Sequence, residues 1–198
     1  MIHVLTFQLG HKRMNKKDLK NLLKRAGVSD QVIKKAVAAY EGVGISGRVR
    51  ITTYKAGTKK IIKKGKWSKN LVVSGTSTGR NLICQRLGGT NTYTLNVTHA
   101  DIGTGTNTPQ NSDTQLQTPT VRGALTAAII SSNVVTLQFF FSDSALANGT
   151  YTEFGSFVDG TGTVSTGKLF NRALFGSAYV KATGQDTTVE VELTINAA

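Results

Sequence analysis

The chain has 198 residues, enough for one β domain with a small appendage. Its formal net charge is +13, and it is unevenly spread: residues 1–70 hold 18 Lys or Arg against 3 Asp or Glu, whereas residues 71–198 hold 6 against 8. A single cysteine excludes an internal disulfide, and no run reaches the ~18 apolar residues of a membrane-spanning helix, so the disulfide-stapled and helical-membrane classes drop out.

Met1–Leu9 has an apolar core but neither a basic region before it nor a small-residue cleavage site after it, and does not read as a signal peptide. Residues 15–41 predict two short helices. Leu19, Leu22, Leu23 and Ala26 follow the spacing of one helical face, and Gly27 supplies a stop. Ser29 can cap a second helix whose stripe is Val32, Ile33, Ala36, Val37 and Tyr40. Lys16, Lys17, Lys20, Lys24, Arg25, Lys34 and Lys35 fall on the remaining faces, so the pair reads as a basic helical hairpin.

Residues 47–73 predict two strands around the turn Ala56-Gly57-Thr58, the second carrying many lysines around Trp67. Residues 77–87 predict a short helix with Thr78 as its cap, and Cys84 beside Leu82 and Ile83 is expected to be a buried structural thiol. From residue 90 the pattern is β. Tyr93, Leu95 and Val97 alternate; Val121–Ile130 and Val134–Phe141 flank the turn Ser131-Ser132-Asn133; Thr150–Val158 and Leu169–Phe175 follow. Val189, Val191, Leu193 and Ile195 close the chain with strict alternation, one face buried and one wet. This spacing predicts an antiparallel β-sandwich, jelly-roll-like or a partly closed barrel. The polar segment 103–120 holds both prolines and reads as a functional or interface loop.

Motifs for chemistry fail on context. Gly42 to Gly47 matches the dinucleotide spacing, but a helix precedes it and a strand follows, the reverse of what a pyrophosphate needs. Gly162 to Lys168 nearly spells a phosphate loop, yet Leu169 stands where a magnesium-binding hydroxyl belongs. His3, His11 and His99 have no zinc-ligand spacing, and His99-Ala100-Asp101 reads as a polar pair at a strand end. No catalytic residue, metal ligand or cofactor site is expected.

The basic segments are the physical signal that survives. Lys59, Lys60, Lys63, Lys64, Lys66 and Lys69 surround Trp67, and a cationic surface with an aromatic can hold phosphates and stack a base. Lysines also serve as solvated faces, as guards of strand edges and as docking points for acidic proteins. The candidate anchoring or nucleic-acid contacts are therefore these residues together with the helical set named above.

Ile102-Gly103-Thr104-Gly105-Thr106, then Pro109, Ser112-Asp113-Thr114, Leu116 and Val121-Arg122 occur in order. They resemble the "I-G-x-G" opening, Pro-containing loop and "T-x-L-x-x-x-x-x-R" run of tailed-bacteriophage virion proteins, including tail-collar and tail-fibre attachment domains. Tyr151 to Phe157 is similar to their "I-T-E-x-G-L-F" segment, and Gly167 to Arg172 to their "G-x-L-F-A-R" strand. The likeness spans about residues 101–196; Ser156 departs from it where a larger apolar residue is usual, and the basic first third has no counterpart.

The resemblance implies a β-sandwich that builds oligomeric appendages without catalysis. The reading for the chain is thus a basic helical segment at 1–45 and a β domain at 46–198, forming a multi-copy structural protein of a tailed-phage virion in tail, baseplate, collar or head surface. Its expected partners are copies of itself and other virion proteins, with nucleic acid a further candidate and no membrane. The alternative is a capsid shell protein whose basic N-terminal region contacts packaged nucleic acid.

Overall fold

The computed structural model describes residues 16–39 and 44–196, and these divide into two units, one holding the helical residues 16–39 and the other residues 45–196. In the first unit, α1 (Lys16–Arg25) has Asp18 in its first turn and Lys24 and Arg25 in its last, the order that suits the helix dipole. Gly27, at φ +69°, ends it, with the Val28 N–H donating to the Leu23 carbonyl. In α2 (Asp30–Ala39), Ile33 is buried while Val32 is exposed; in α1 Leu22 is exposed, so the expected apolar stripes are only partly covered.

The second unit is mainly β. Its strands are β1 (Gly44–Lys55), β2 (Ile61–Lys64), β3 (Ser68–Val72), β4 (Val97–Gly103), β5 (Pro119–Ser131), β6 (Val134–Phe141), β7 (Gly149–Val158), β8 (Lys168–Lys181) and β9 (Gln185–Asn196), with one helix, α3 (Gly79–Leu87). The order β1-β3-β8-β7-β4-β5-β6-β9 returns to β1 through a β1–β9 pairing, so eight antiparallel strands close into a barrel. This corrects the sandwich description: all nine strands belong to one sheet, eight of them closed into a ring, with β2 outside it paired to β1.

Eight strands leave an interior that side chains can fill. Phe139, Phe141, Phe154, Ile102, Val49 and Val191 are all buried there, with the Phe139 and Phe154 ring centroids 5.6 Å apart. One polar trio interrupts this core. Asn171 and Ser156 face each other in register and are hydrogen-bonded, and the Asn171 amide donates to Asn70 Oδ1 at 3.1 Å. A second cluster of Val73, Leu116, Phe157 and Leu169 lies beneath the segment 104–118.

Helix α3 turns Leu82 into the main core. Its first residue has to be glycine: Gly79 sits at φ +42°, and a Cβ there would lie 2.0 Å from the Val73 carbonyl oxygen. Thr78 occupies the N-cap position, but its hydroxyl donates to the Gly75 carbonyl instead of capping the helix. Cys84 is exposed, against expectation, because two residues on from Leu82 the helix has rotated by about 200° toward solvent.

The alternation of Tyr93, Leu95 and Val97 is not a strand either. Leu95 has φ +68°, which breaks the extended path, and β4 begins only at Val97. Tyr93 and Leu95 still pack against the core.

Candidate interaction surface

The loop 104–118 is fastened to the outer barrel wall by one carboxylate. Glu153 is fully buried and accepts the N–H groups of Gly105 (3.0 Å), Gln117 (3.0 Å) and Thr118 (2.6 Å). Two donors of Arg172 complete its shell, Nε at 3.1 Å and Nη2 at 2.8 Å. The same guanidinium reaches Asp113 Oδ2 at 2.7 Å and the Asn107 carbonyl at 3.1 Å, so strand and loop are bolted together at both ends. Burial pulls the Arg172 pKa down, but Asp113 and Glu153 outweigh it and leave it raised.

Gly105 is required by this packing: at φ outside the left-handed region, its added Cβ would still lie 2.3 Å from Glu153 Oε1. The constraint at Gly103 is likewise close approach, 2.3 Å from the Thr118 carbonyl oxygen.

A second buried pair fixes the loop before β8. Arg122 binds Asp101 through Nη2 at 3.0 Å and through Nε, and its Nη1 donates to the carbonyls of Thr161 (3.0 Å) and Thr166 (2.9 Å). Its guanidinium lies 4.5 Å from the Phe157 ring centroid. Asp101 is thereby committed to an arginine, and His99 Nδ1 lies 3.1 Å from the Thr98 hydroxyl instead, so the two make no dyad.

A third anchor joins the barrel's turns. Lys181, its side chain fully buried, binds Asp143, which also accepts the N–H groups of Gly184 and Gln185. The Lys181 hydrogen bond, reinforced by Gly184, holds the Asp143 carboxyl below the usual range.

Every carboxylate in residues 45–196 is engaged in this way. Glu192 pairs with Arg48 and Glu190 with Arg50 across β1 and β9, Asp159 accepts from Thr94, and Asp186 accepts the N–H groups of Gly57 and Asp143. The lysines are not so matched. Lys59, Lys60, Lys63, Lys66 and Lys69 are exposed and form no salt bridge to a described carboxylate.

The predicted contact residues fall into two groups. Lys16, Lys17, Lys20, Lys24 and Arg25 lie on α1 and Lys34 and Lys35 on α2, in the first unit. Lys59, Lys60, Lys63, Lys64, Lys66, Trp67 and Lys69 belong to the hairpin β1–β2–β3 of the barrel unit. Three of them, Lys63, Lys64 and Lys66, come together with Trp67 and Arg50 around a cleft of about 540 Å³, whose far wall is Phe175–Tyr179. The Arg48 and Arg50 guanidiniums lie 4.5 and 4.2 Å from the Trp67 ring centroid.

Sequence reasoning missed those two arginines and the β8 wall. The alternation of Arg48 and Arg50 with Val49 and Ile51 was the available signal for an outward cationic row. Among the described residues there is no group of three His, Cys, Asp or Glu side chains placed to hold a metal, and no helix long and apolar enough to cross a membrane. Comparison with family models, with curated proteins and with solved structures gave no match.

Proposed function

We propose that this protein is a non-enzymatic structural component of a tailed-bacteriophage virion, present in many copies and acting through protein–protein contacts in the tail, baseplate, collar or head surface. The observation that carries this reading is the fate of the ionisable residues in the resembling motifs. Arg122, Glu153 and Arg172 are all spent on fixing loops to the barrel wall. Catalysis needs ionisable groups free to meet a substrate; a fixed surface needs them locked.

Exposed apolar side chains fit the same role. Ile130 and Ile195 are 77% and 51% exposed and border an apolar concavity with Ile45, Leu95 and Val134. Copies related by a closed symmetry would bury such a rim.

A capsid shell protein with a basic region on packaged nucleic acid is the second reading, and the unpaired hairpin lysines favour it. Such contacts weaken steeply with salt. Density-gradient fractionation of a phage lysate, followed with an antibody to the barrel, tests the proposal. The protein should travel with assembled particles and stay with them at high salt; recovery only in the soluble fraction would refute it, and release by moderate salt would favour the shell-and-genome alternative.

A further inference from the structure

We propose that the cleft between β2 and the distal half of β8 receives an extended acidic segment of a neighbouring protein, added to the barrel as a strand. The inference deepens the assembly reading and rests on it only in taking the donor to be a neighbour in the particle.

The cleft arises from a break in one strand. β2 and β3 both run antiparallel to β1, with Lys64 opposite Thr52 and Asn70 opposite Gly47, so they are two parts of a single return strand interrupted at 65–67. Only β3 reaches β8, pairing Leu71 with Arg172 and Val72 with Asn171. Beyond that point β8 carries a wide bulge, with residues between Leu174 and Tyr179 opposing the short stretch between Glu153 and Tyr151. The two walls therefore part, and the cleft opens between them.

Both walls are strand edges. Among the described residues β2 has β1 as its sole strand partner, and the β3 pairing of β8 stops short of 175–179. Gly176 shows the demand on that edge, since its N–H is met by a side chain, the Ser68 hydroxyl at 2.7 Å. β2 is four residues long, about 13 Å of edge at ~3.3 Å per residue, room for a short added strand.

Charge selects the occupant. Arg50, Lys63, Lys64 and Lys66 line the cleft, and among the described residues no carboxylate does. The opposite edge of β1 shows which strand this face accepts: β9 alternates Val189, Val191 and Leu193 with Glu190 and Glu192, and those two glutamates meet Arg50 and Arg48. A second strand of that alternating acidic pattern would set its carboxylates on the outward face, against Lys64, which lies opposite Thr52 on the side of Arg50, and against Lys66, and its apolar residues against Phe175 and Tyr179. A nucleic-acid strand fits less well, because it cannot pair with two peptide edges and the Trp67 ring already carries two guanidiniums.

Trp67 is the chain's one tryptophan and lines the cleft, so its fluorescence reports occupancy. The probe is a nine-residue peptide with the sequence Thr-Thr-Val-Glu-Val-Glu-Leu-Thr-Ile, titrated into the full chain. The expected result is a saturable change in Trp67 emission, weakened about tenfold or more by Lys64→Glu with Lys66→Glu and unchanged by Arg86→Glu, an exposed α3 residue that does not line the cleft. A version of the peptide N-methylated at alternate backbone amides should lose binding, because strand pairing needs those N–H groups. No binding, equal binding of the N-methylated peptide, or a Trp67 response to oligothymidylate but not to the peptide would each overturn the proposal. If the peptide fails while the protein still travels with particles, the cleft assignment falls and the assembly reading stands.

Discussion

Glu153 is the residue on which the outer loop depends. It satisfies three backbone N–H groups and half of a buried guanidinium, so removing it leaves a guanidinium held by Asp113 alone among carboxylates and orphaned donors together. Glu153→Ala should cost about 3–5 kcal/mol, read as a lower midpoint in urea. Replacing Glu153 and Arg172 together by methionine should not restore stability, because the amides of Gly105, Gln117 and Thr118 stay unmet; recovery to the parent value would show that the carboxylate serves only the arginine.

Asp143 makes the pH dependence. Its folded pKa lies below the ordinary carboxylate value, so its contribution is complete above about pH 4–5 and is lost as pH falls through the folded value. Glu190 acts in the same sense: burial pushes it up, but Arg50 outweighs burial and leaves it lowered. Thermal melting should therefore hold steady at neutral pH and fall on acidification. Asp143→Asn should flatten part of that acid limb, and an unchanged limb would count against the anchor.

Among the elements, β7 and β8 form the barrel's most informative pair. Ser156 and Asn171 oppose each other in register as two buried polar residues. They meet each other's polar demand: one hydroxyl and two amides, those of Asn171 and Asn70, are joined by hydrogen bonds. Asn171→Ala should cost about 1–3 kcal/mol by stranding Ser156 and Asn70. A double-mutant cycle with Ser156→Ala should show that the two losses do not add, whereas strict additivity would mean that the pair is not coupled.

These elements also show what the sequence could reveal. The alternation from Val189 to Ile195 and the short turn between β5 and β6 announced their strands, because each depends on local periodicity or on two turn residues. The sequence alone leaves Glu153 open to two outcomes, set against the amides of the 103–120 loop or exposed to solvent, since a glutamate between aromatic residues can turn either way. Barrel closure was not legible: β1 and β9 lie at opposite ends of the domain, and their pairing is a long-range contact with no local trace. The β2–β3 break was hidden for a similar reason, since what it faces is the bulge in β8 more than one hundred residues away. Cys84 was misjudged because its apolar neighbours in sequence are not its neighbours around the helix.

The barrel unit combines satisfied acidic groups with a surplus of exposed lysines. Its carboxylates hold loops, turns and the closing strands in place, so little of its ionisable chemistry remains available for a substrate. What it offers outward is shape, an apolar rim and a cationic cleft. Such a surface is suited to repeated contact with neighbours, and repetition is the property that can be counted. Quantitative mass spectrometry of gradient-purified particles, calibrated with labelled peptides from residues 45–196, gives the copy number directly. The account predicts a fixed multiple of copies in every particle; trace amounts that vary between preparations would contradict it.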